Sequence, residues 1–397
     1  MVNIAVLGCG FVADFYMATL HRHPTFRATS CYDIRPGRLQ AFATRHRLRP
    51  AAGLDAILAD SSIDMVFNLT NPRSHLAVTK ACIEGGKAVY SEKPLGMTFA
   101  EASELLRLTR LHGVPLACAP SSLLGVAAQT AGRALREGAI GKVRLVYANF
   151  DDGMVHRLDP GRWRSASGAP WPARDEFETG CTFQHAGYLL TWLAAFFGPA
   201  RHVQAFASCR IPDKGIAVDA MAPDFSVGCI EYDDDVVARV TCSIVAPADK
   251  SLVVIGDEGI LSIRNVRDDN APVYLQRTPR NRVMARLGHG WNGFQDRVES
   301  VLRLPFSLRF QVSRRYPPVR RPEFRNSGGN KPIDFLRGPE EFAEAIREDR
   351  PCRLSPELGL HITELVEALQ HPERSEGGGR RRIVSSFDPI APMPWAV

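Results

Sequence analysis

The stretch YSEKPLG at residues 90–96 places Lys93 between Glu92 and Pro94, directly behind the apolar pair Ala88-Val89. Proline ends a strand, and it keeps the residue before it extended. Lys93 is therefore presented stiffly at a strand end, where a fixed ammonium can stabilise negative charge on a reacting oxygen. A second set of candidates lies near the start of the chain. VLGCGFVADFY holds Gly8, Gly10 and Ala13 in a G-x-G-x-x-A pattern, with Phe11 and Val12 inside it. Gly8 permits a tight turn, Gly10 lets backbone approach a pyrophosphate, and Ala13 allows close packing of helix on strand. The helix that opens here offers unpaired N–H groups to phosphate. A second strand ends in Tyr32-Asp33, about 20 residues on, where a dinucleotide site carries its ribose-binding acid. Asp33 accepts a hydrogen bond from a 2′-hydroxyl and repels a 2′-phosphate, which favours NAD. Arg35 and Arg38 could hold that phosphate, which leaves NADP open.

These groups need a parallel sheet to position them. Strand signals over Val2–Leu7, Arg27–Tyr32, Met65–Leu69, Ala88–Tyr90 and Pro115–Ala119 alternate with helical stretches at 13–22, 38–46, 73–84 and 101–112. That alternation predicts βαβ units and a doubly wound α/β domain over residues 1–120. Thr70, Asn71 and Pro72 follow the third strand, where such a sheet receives its ligand. A helix is expected over 123–137, capped by Ser121 or Ser122. The pattern then changes. Strands are expected at 143–150, 203–210, 225–232, 236–245, 251–255 and 260–264, with a helix near 183–197 among them. In Val236, Ala238, Val240, Cys242 and Ile244 the apolar residues share one face, as in a half-buried antiparallel strand. Residues 121–397 are thus read as an α+β domain with a mostly antiparallel open sheet. An Arg-, Pro- and Gly-rich excursion is expected over 265–332, two helices at 339–348 and 356–370, and a polar, mobile stretch at 371–382.

Composition narrows the class. The chain of 397 residues is 45% hydrophobic and 23% charged, as globular proteins are. No apolar run is long enough to span a membrane, and MVNIAVLGCG reads as a strand, not a signal peptide. Nine cysteines without a C-x-x-C pair fit reduced thiols in the cytoplasm and argue against a zinc site; no metal is expected. Twelve arginines between Arg277 and Arg325 face only Asp296, Glu299 and Glu323. No nucleic-acid module accompanies them, so an anionic small substrate, an acidic partner or a solvated face is the better reading.

With these motifs in place, the sequence resembles the glucose–fructose oxidoreductase, inositol dehydrogenase and rhizopine-catabolism family (Gfo/Idh/MocA). VLGCGFVA, MVFNLTNPRSH at 65–75 and GKAVYSEKPLG at 86–96 carry the resemblance, with GAIGKV at 138–143 as a weaker fourth element. The resemblance implies an NAD- or NADP-dependent oxidoreductase acting on a hydroxyl or carbonyl of a sugar, nucleotide sugar or cyclitol. It also implies a homo-oligomer assembled through the C-terminal sheet. It places Lys93 beside the nicotinamide and the reacting oxygen, with Glu92, Thr70, Asn71 and Pro72 bordering the cofactor. His75 either approaches the cofactor or faces solvent at a helix start.

Relatives carry an Asp and a His on a helix of the second domain. Here the matching stretch is ETGCTFQHAGYLLTWLAAFFG, residues 178–198. Aligned on Gly187, His185 stands where the family has Asp, and Leu189 where it often has His. His185 is then the candidate for proton transfer beside Lys93, as a group that titrates near neutrality. Tyr188 and Gln184 are its neighbours, and the preceding WRSASGAPWPARDEFETG suits a sugar pocket. The family also allows an NAD-dependent glycosidase working by transient oxidation, or a nucleotide-binding sensor without catalysis.

Overall fold

The computed structural model describes residues 1–278, 301, 313–320, 333–374 and 379–397. Most of the Arg-rich stretch therefore lies outside the described residues. The first sheet contains β1 (Val2–Leu7), β2 (Phe26–Tyr32), β3 (Arg49–Pro50), β4 (Met65–Asn68), β5 (Ala88–Ser91) and β6 (Leu116–Cys118). All pairs are parallel, in the order β3-β2-β1-β4-β5-β6. The order reverses at the β1/β4 boundary. This is the doubly wound topology the sequence implies, and it puts the strand ends Leu7, Asn68 and Ser91 beside one another at the switch point. Ile4, Val6, Val66, Phe67 and Val89 are fully buried, as strands covered by helices on both faces require.

The second sheet has nine strands. They are β7 (Val143–Asp151), β8 (His202–Ser208), β9 (Phe225–Glu231), β10 (Val237–Ser243), β11 (Leu252–Gly256), β12 (Gly259–Ile263), β13 (Val273–Arg277), β14 (Arg314–Arg315) and β15 (Arg380–Arg382), in the order β14-β13-β12-β11-β7-β10-β9-β8-β15. Only β7 and β10 pair in parallel; their neighbours are antiparallel. In β10, Ala238, Val240 and Cys242 are buried while Arg239 is exposed, as the alternation predicts. Two segments differ from expectation. β13 lies where an excursion was expected, because Val273 and Leu275 pair into the edge of β12. Arg380–Arg382 is a strand, not a mobile stretch, held by pairing with β8.

The helix expected over 123–137 is broken. A single 3₁₀ turn, Ser122–Leu124, precedes the helix Val126–Arg136, and no side chain caps the latter. The break has a tertiary cause. A Cβ on Gly125 would meet Asp269 Oδ1 at 2.9 Å and Arg337 Nη1 at 3.0 Å, and Ala127 N–H donates to Asp269 O. Ser122 Oγ accepts from Trp192 Nε1 instead of capping.

The helix Cys181–Phe197 lies on the buried face of the second sheet, with Phe183, Leu189, Leu190, Trp192 and Leu193 at 2% exposure or less. Each such side chain contributes about 1.5–3 kcal/mol of burial free energy. The helix Pro356–Gln370, capped by Ser355 Oγ, packs against both halves. Glu367 accepts from Phe99 N–H and Gln370 donates to Thr179 O, so this helix fixes the Rossmann sheet relative to the helix that carries His185.

Candidate active site

The nucleotide end is built on the turn after β1. Gly8 has φ +89°, and a Cβ there would lie 2.6 Å from Leu69 O, so only glycine fits. Nothing lies within 4 Å of the position a Cβ would take on Gly10, which leaves the open space a pyrophosphate needs. Asp33 Oδ2 accepts from Cys9 N–H and Oδ1 from Arg35 N–H. The acid therefore fixes the loop, and its remaining lone pairs face the same hollow, which Gly8, Gly10, Tyr32, Asp33, Arg35 and Arg38 line. These residues fit an NAD(P) nucleotide.

The hollow continues into a cleft of about 1360 Å³, its open mouth included. Gly10, Phe11, Val12, Thr70, Asn71, Pro72, Glu92 and Lys93 come to it from the Rossmann side. Thr70 Oγ1 donates to Asn68 Oδ1, which sets the turn after β4, and Asn71 donates to Asp175 across the cleft. Glu92 is a brace. Its Oε1 accepts from Tyr16 OH at 2.8 Å and its Oε2 from Lys93 N–H at 3.0 Å, so both oxygens already have protein donors. Lys93 Nζ reaches the other domain, donating to Gln184 O at 2.8 Å and Gln184 Oε1 at 2.9 Å.

His75 neither borders the cleft nor faces solvent. It is fully buried, with Nδ1 2.6 Å from Pro94 O and Nε2 3.0 Å from Thr70 O. It ties the segment carrying Lys93 to the turn after β4, and burial pushes its pKa down.

The opposite wall comes from the second domain. Gln184, His185 and Tyr188 all line the cleft, Tyr188 lying three and four positions after the other two and so one turn along the helix from them. The ring of Phe150, in β7, stacks on His185 at 4.9 Å and on Tyr188 at 5.5 Å. His185 Nε2 is 3.5 Å from Asp152 Oδ2, and its Nδ1 is buried without a hydrogen-bond partner among the described residues. Burial pushes the imidazole down to about 3, with the charges of Lys93 and Arg267 acting in the same direction against Asp152. This corrects the expectation of a histidine titrating near neutrality: at neutral pH the imidazole is uncharged. Leu189, at the position where relatives place His, is a core residue with no exposure.

Three groups in this wall escaped the sequence reading. Asp152 is the last acid of an Asp-Asp pair at the end of β7, and it is salt-bridged to Lys250. Glu176, on the helix Ala173–Thr179, lines the cleft and receives no hydrogen bond from a described residue; burial lifts its carboxyl to about 7, against the pull of Lys93. Arg267 lies over the Tyr188 ring at 5.2 Å. Burial pushes the Tyr188 phenol up to about 12, so it keeps its proton. Trp163 and Trp171, 5.1 Å apart edge to face, close the wall. Tyr188 had been singled out beside His185, and the tryptophans had a sequence signal in their polar and aromatic surroundings; Asp152, Glu176 and Arg267 had none of their own.

Comparison with known proteins agrees with this geometry. Residues 2–119 match the GFO/IDH/MocA oxidoreductase family, NAD-binding Rossmann fold, and residues 128–262 match the GFO/IDH/MocA C-terminal domain. Trans-1,2-dihydrobenzene-1,2-diol dehydrogenase of Bos taurus is 25% identical over 264 residues, covering 66% of this chain and 72% of that protein. The Macaca fascicularis enzyme of the same name is 23% identical over 266 residues, covering 67% and 73%. Among solved structures, aldose-aldose oxidoreductase from Caulobacter crescentus complexed with glycerol superposes with a TM-score of 0.72 at 18% identity, covering 96% of this chain and 99% of that one. The WlbA dehydrogenase from Bordetella pertussis, in complex with NADH and UDP-GlcNAcA, gives a TM-score of 0.69 at 16% identity, covering 98% of each chain. A 3-ketoreductase from Actinomadura kijaniata in complex with NADP gives 0.67 at 18% identity, covering 93% of this chain and 96% of that one.

Proposed function

The chain belongs to the Gfo/Idh/MocA family of NAD(P)-dependent oxidoreductases, and we propose that it interconverts a hydroxyl and a carbonyl on a sugar, nucleotide sugar or cyclitol. The observation that carries this reading is the placement of Lys93, an ammonium held by Gln184 in the cleft that continues from the glycine loop. Gly8, Gly10, Phe11, Val12, Thr70, Asn71 and Pro72 hold the cofactor, and Asp33 favours NAD over NADP. Bound nicotinamide supplies or accepts the hydride. An ammonium has three donors, and Gln184 takes two, so the third is left for the substrate oxygen. There it stabilises the negative charge of an alkoxide-like transition state. His185, in the cleft wall, acts beside the same oxygen as a neutral hydrogen-bonding group, with Phe150 fixing the plane of the ring. The faces of Trp163 and Trp171 suit the C–H face of a sugar ring, in keeping with the glycerol and nucleotide-sugar ligands of the Caulobacter and Bordetella structures.

A second copy of the chain is proposed to cover the open face of the nine-stranded sheet, where Leu145, Tyr147 and Phe206 are between 38% and 55% exposed. Free thiols at all nine cysteines suit a reducing compartment such as the cytoplasm. No helix among the described residues is long and apolar enough to cross a membrane.

The test of function is a screen of the purified protein for formation or consumption of NADH and NADPH against sugars, cyclitols and nucleotide sugars. Turnover with NAD(H) on at least one member is expected. Tight NADH binding with no turnover across the whole set removes the enzymatic part of the reading. A clear preference for NADPH shows that Arg35 or Arg38 outweighs Asp33.

A further inference from the structure

Several interior cations among the described residues carry their own counter-ions. Arg337 pairs with Asp269 at 3.0 Å, Lys214 with Asp224 at 2.8 Å, Arg353 with Glu341 at 2.9 Å, and Lys250 with Asp152. Arg267 differs. It lines the cleft together with Lys93, Glu176, His185 and Tyr188, yet it makes no ion pair with any described residue. Its contacts are with Tyr188, whose ring lies 5.2 Å from the guanidinium and whose side chain hydrogen-bonds with it. Its backbone is pinned: Arg267 N–H donates to Asn265 Oδ1, and Val266 N–H to Lys250 O. Of the two carboxylates nearest in charge, Asp152 is taken by Lys250, and Glu176 sits with its carboxyl raised toward the neutral form. A desolvated guanidinium without a counter-ion is costly unless a ligand brings the opposite charge. Its planar fork matches the two oxygens of a carboxylate or phosphate.

We propose that Arg267 is the anchor of a substrate subsite for an oxyanionic substituent, carboxylate or phosphoryl, so that the substrate is an acidic sugar derivative and not a neutral one. The proposal rests on the sugar-type reading above and narrows it. It also gives a role to an arginine at the start of the Arg-rich excursion, which the fold turns into the cleft just after β12. Glu176 shares the subsite. The charged groups facing it are Lys93, Asp152, Arg267 and Asp175. An anion placed on Arg267 adds negative charge beside this carboxyl and draws a proton onto it. Protonated, Glu176 donates a hydrogen bond to the same oxyanion. Binding therefore takes up a proton and weakens as pH rises above about 7.

The test titrates the full chain, loaded with NADH, with D-glucuronate, D-glucose 6-phosphate and D-glucose, reading NADH fluorescence. At pH 6.5 at least one anion should bind roughly ten-fold or more tightly than glucose, the scale of one charge-assisted hydrogen bond. Which anion wins separates carboxylate from phosphoryl recognition. Arg267→Gln should abolish the preference, Arg267→Lys should keep part of it, and NADH affinity reports that each variant is folded. In the parent the preference should shrink between pH 6.5 and 8.5, and in Glu176→Gln it should not. Equal binding of all three compounds, no binding of either anion, or a preference that survives Arg267→Gln overturns the subsite. Failure of the functional reading has a different signature: anions that bind through Arg267 but, like every other compound, never change the redox state of the cofactor.

Discussion

On the Rossmann wall of the cleft, Thr70, Glu92 and Lys93 hang from the ends of parallel strands, and each is tied by hydrogen bonds to protein partners. On the opposite wall, Glu176, His185, Tyr188 and Arg267 come from two helices and a loop, and His185 Nδ1 is left buried without a hydrogen-bond partner among the described residues. The first wall is braced by hydrogen bonds. The second is shaped by packing, with Phe150 stacked on two of its members. A braced wall suits a cofactor whose shape is the same in every turnover. An unsatisfied polar atom on the facing wall is a standing cost that a ligand relieves. On the proposed function, the difference divides labour: a general cofactor and charge-stabilising machinery on one side, substrate choice on the other.

The largest effect should come from cutting Lys93, whose ammonium crosses between the walls to Gln184. Lys93→Ala removes the cation proposed to act at the reacting oxygen and the hydrogen bonds to Gln184. We expect kcat to fall by roughly 10³-fold, on the scale of losing an electrostatic donor at the transition state. NADH affinity, by fluorescence titration, should change by no more than a few-fold, since the glycine loop is untouched. Near-parental turnover would make the Rossmann wall a cofactor platform only, and the chemistry would have to be sought across the cleft.

His185→Ala tests the facing wall and should cost less, roughly 10–100-fold in kcat, because it removes a neutral hydrogen-bonding group and not a charge. The sharper reading is the pH profile. Burial holds this imidazole at about 3, below the ordinary histidine range. The parent should therefore show no histidine limb between pH 5 and 8. A limb near pH 6.5 that vanishes in the variant would show that water reaches this wall and that His185 does shuttle a proton.

The same contrast explains what could be read from sequence. The glycine loop, Asp33 and Lys93 were legible because their chemistry is local: a turn only glycine can make, an acid at a strand end, a lysine stiffened by proline. The parallel, doubly wound character of the first sheet followed from the alternation of strand and helix. Glu176 was not legible, because Asp175, Glu176 and Glu178 stand within four positions and only the fold selects the one that faces the cleft. Arg267 was hidden at the edge of a basic stretch that reads alike throughout. His75 was misjudged because its partners, Pro94 O and Thr70 O, are backbone atoms brought together by the sheet. The helix break at Gly125 came from Asp269, 144 positions away along the chain. Local rules see backbone chemistry; they do not see which side chains converge.

The smallest expected effect concerns what holds the two walls in register. His23, 1% exposed in the Rossmann half, places Nε2 at 3.0–3.1 Å from both oxygens of Asp334 and Nδ1 at 2.9 Å from Glu340 Oε2. Burial alone would lower this imidazole, but the two carboxylates outweigh it and raise it to about 9. An unfolded chain returns it to about 6.5. A group whose folded pKa lies above its unfolded value stabilises fully below the unfolded value and stops doing so as pH passes the folded one. The contribution should therefore be complete at pH 6, decline from about pH 6.5 to 9, and be gone by pH 10. At 1.36 kcal/mol per unit it is at most about 3 kcal/mol. Urea unfolding of the parent and of His23→Gln isolates it, because other groups that titrate over this range do so in both proteins. The parent should be the more stable by about 2–3 kcal/mol at pH 6, and the gap should close toward pH 10. A gap that stays constant with pH would mean that His23 acts through packing alone, and that its two carboxylates are held by Arg337 and solvent.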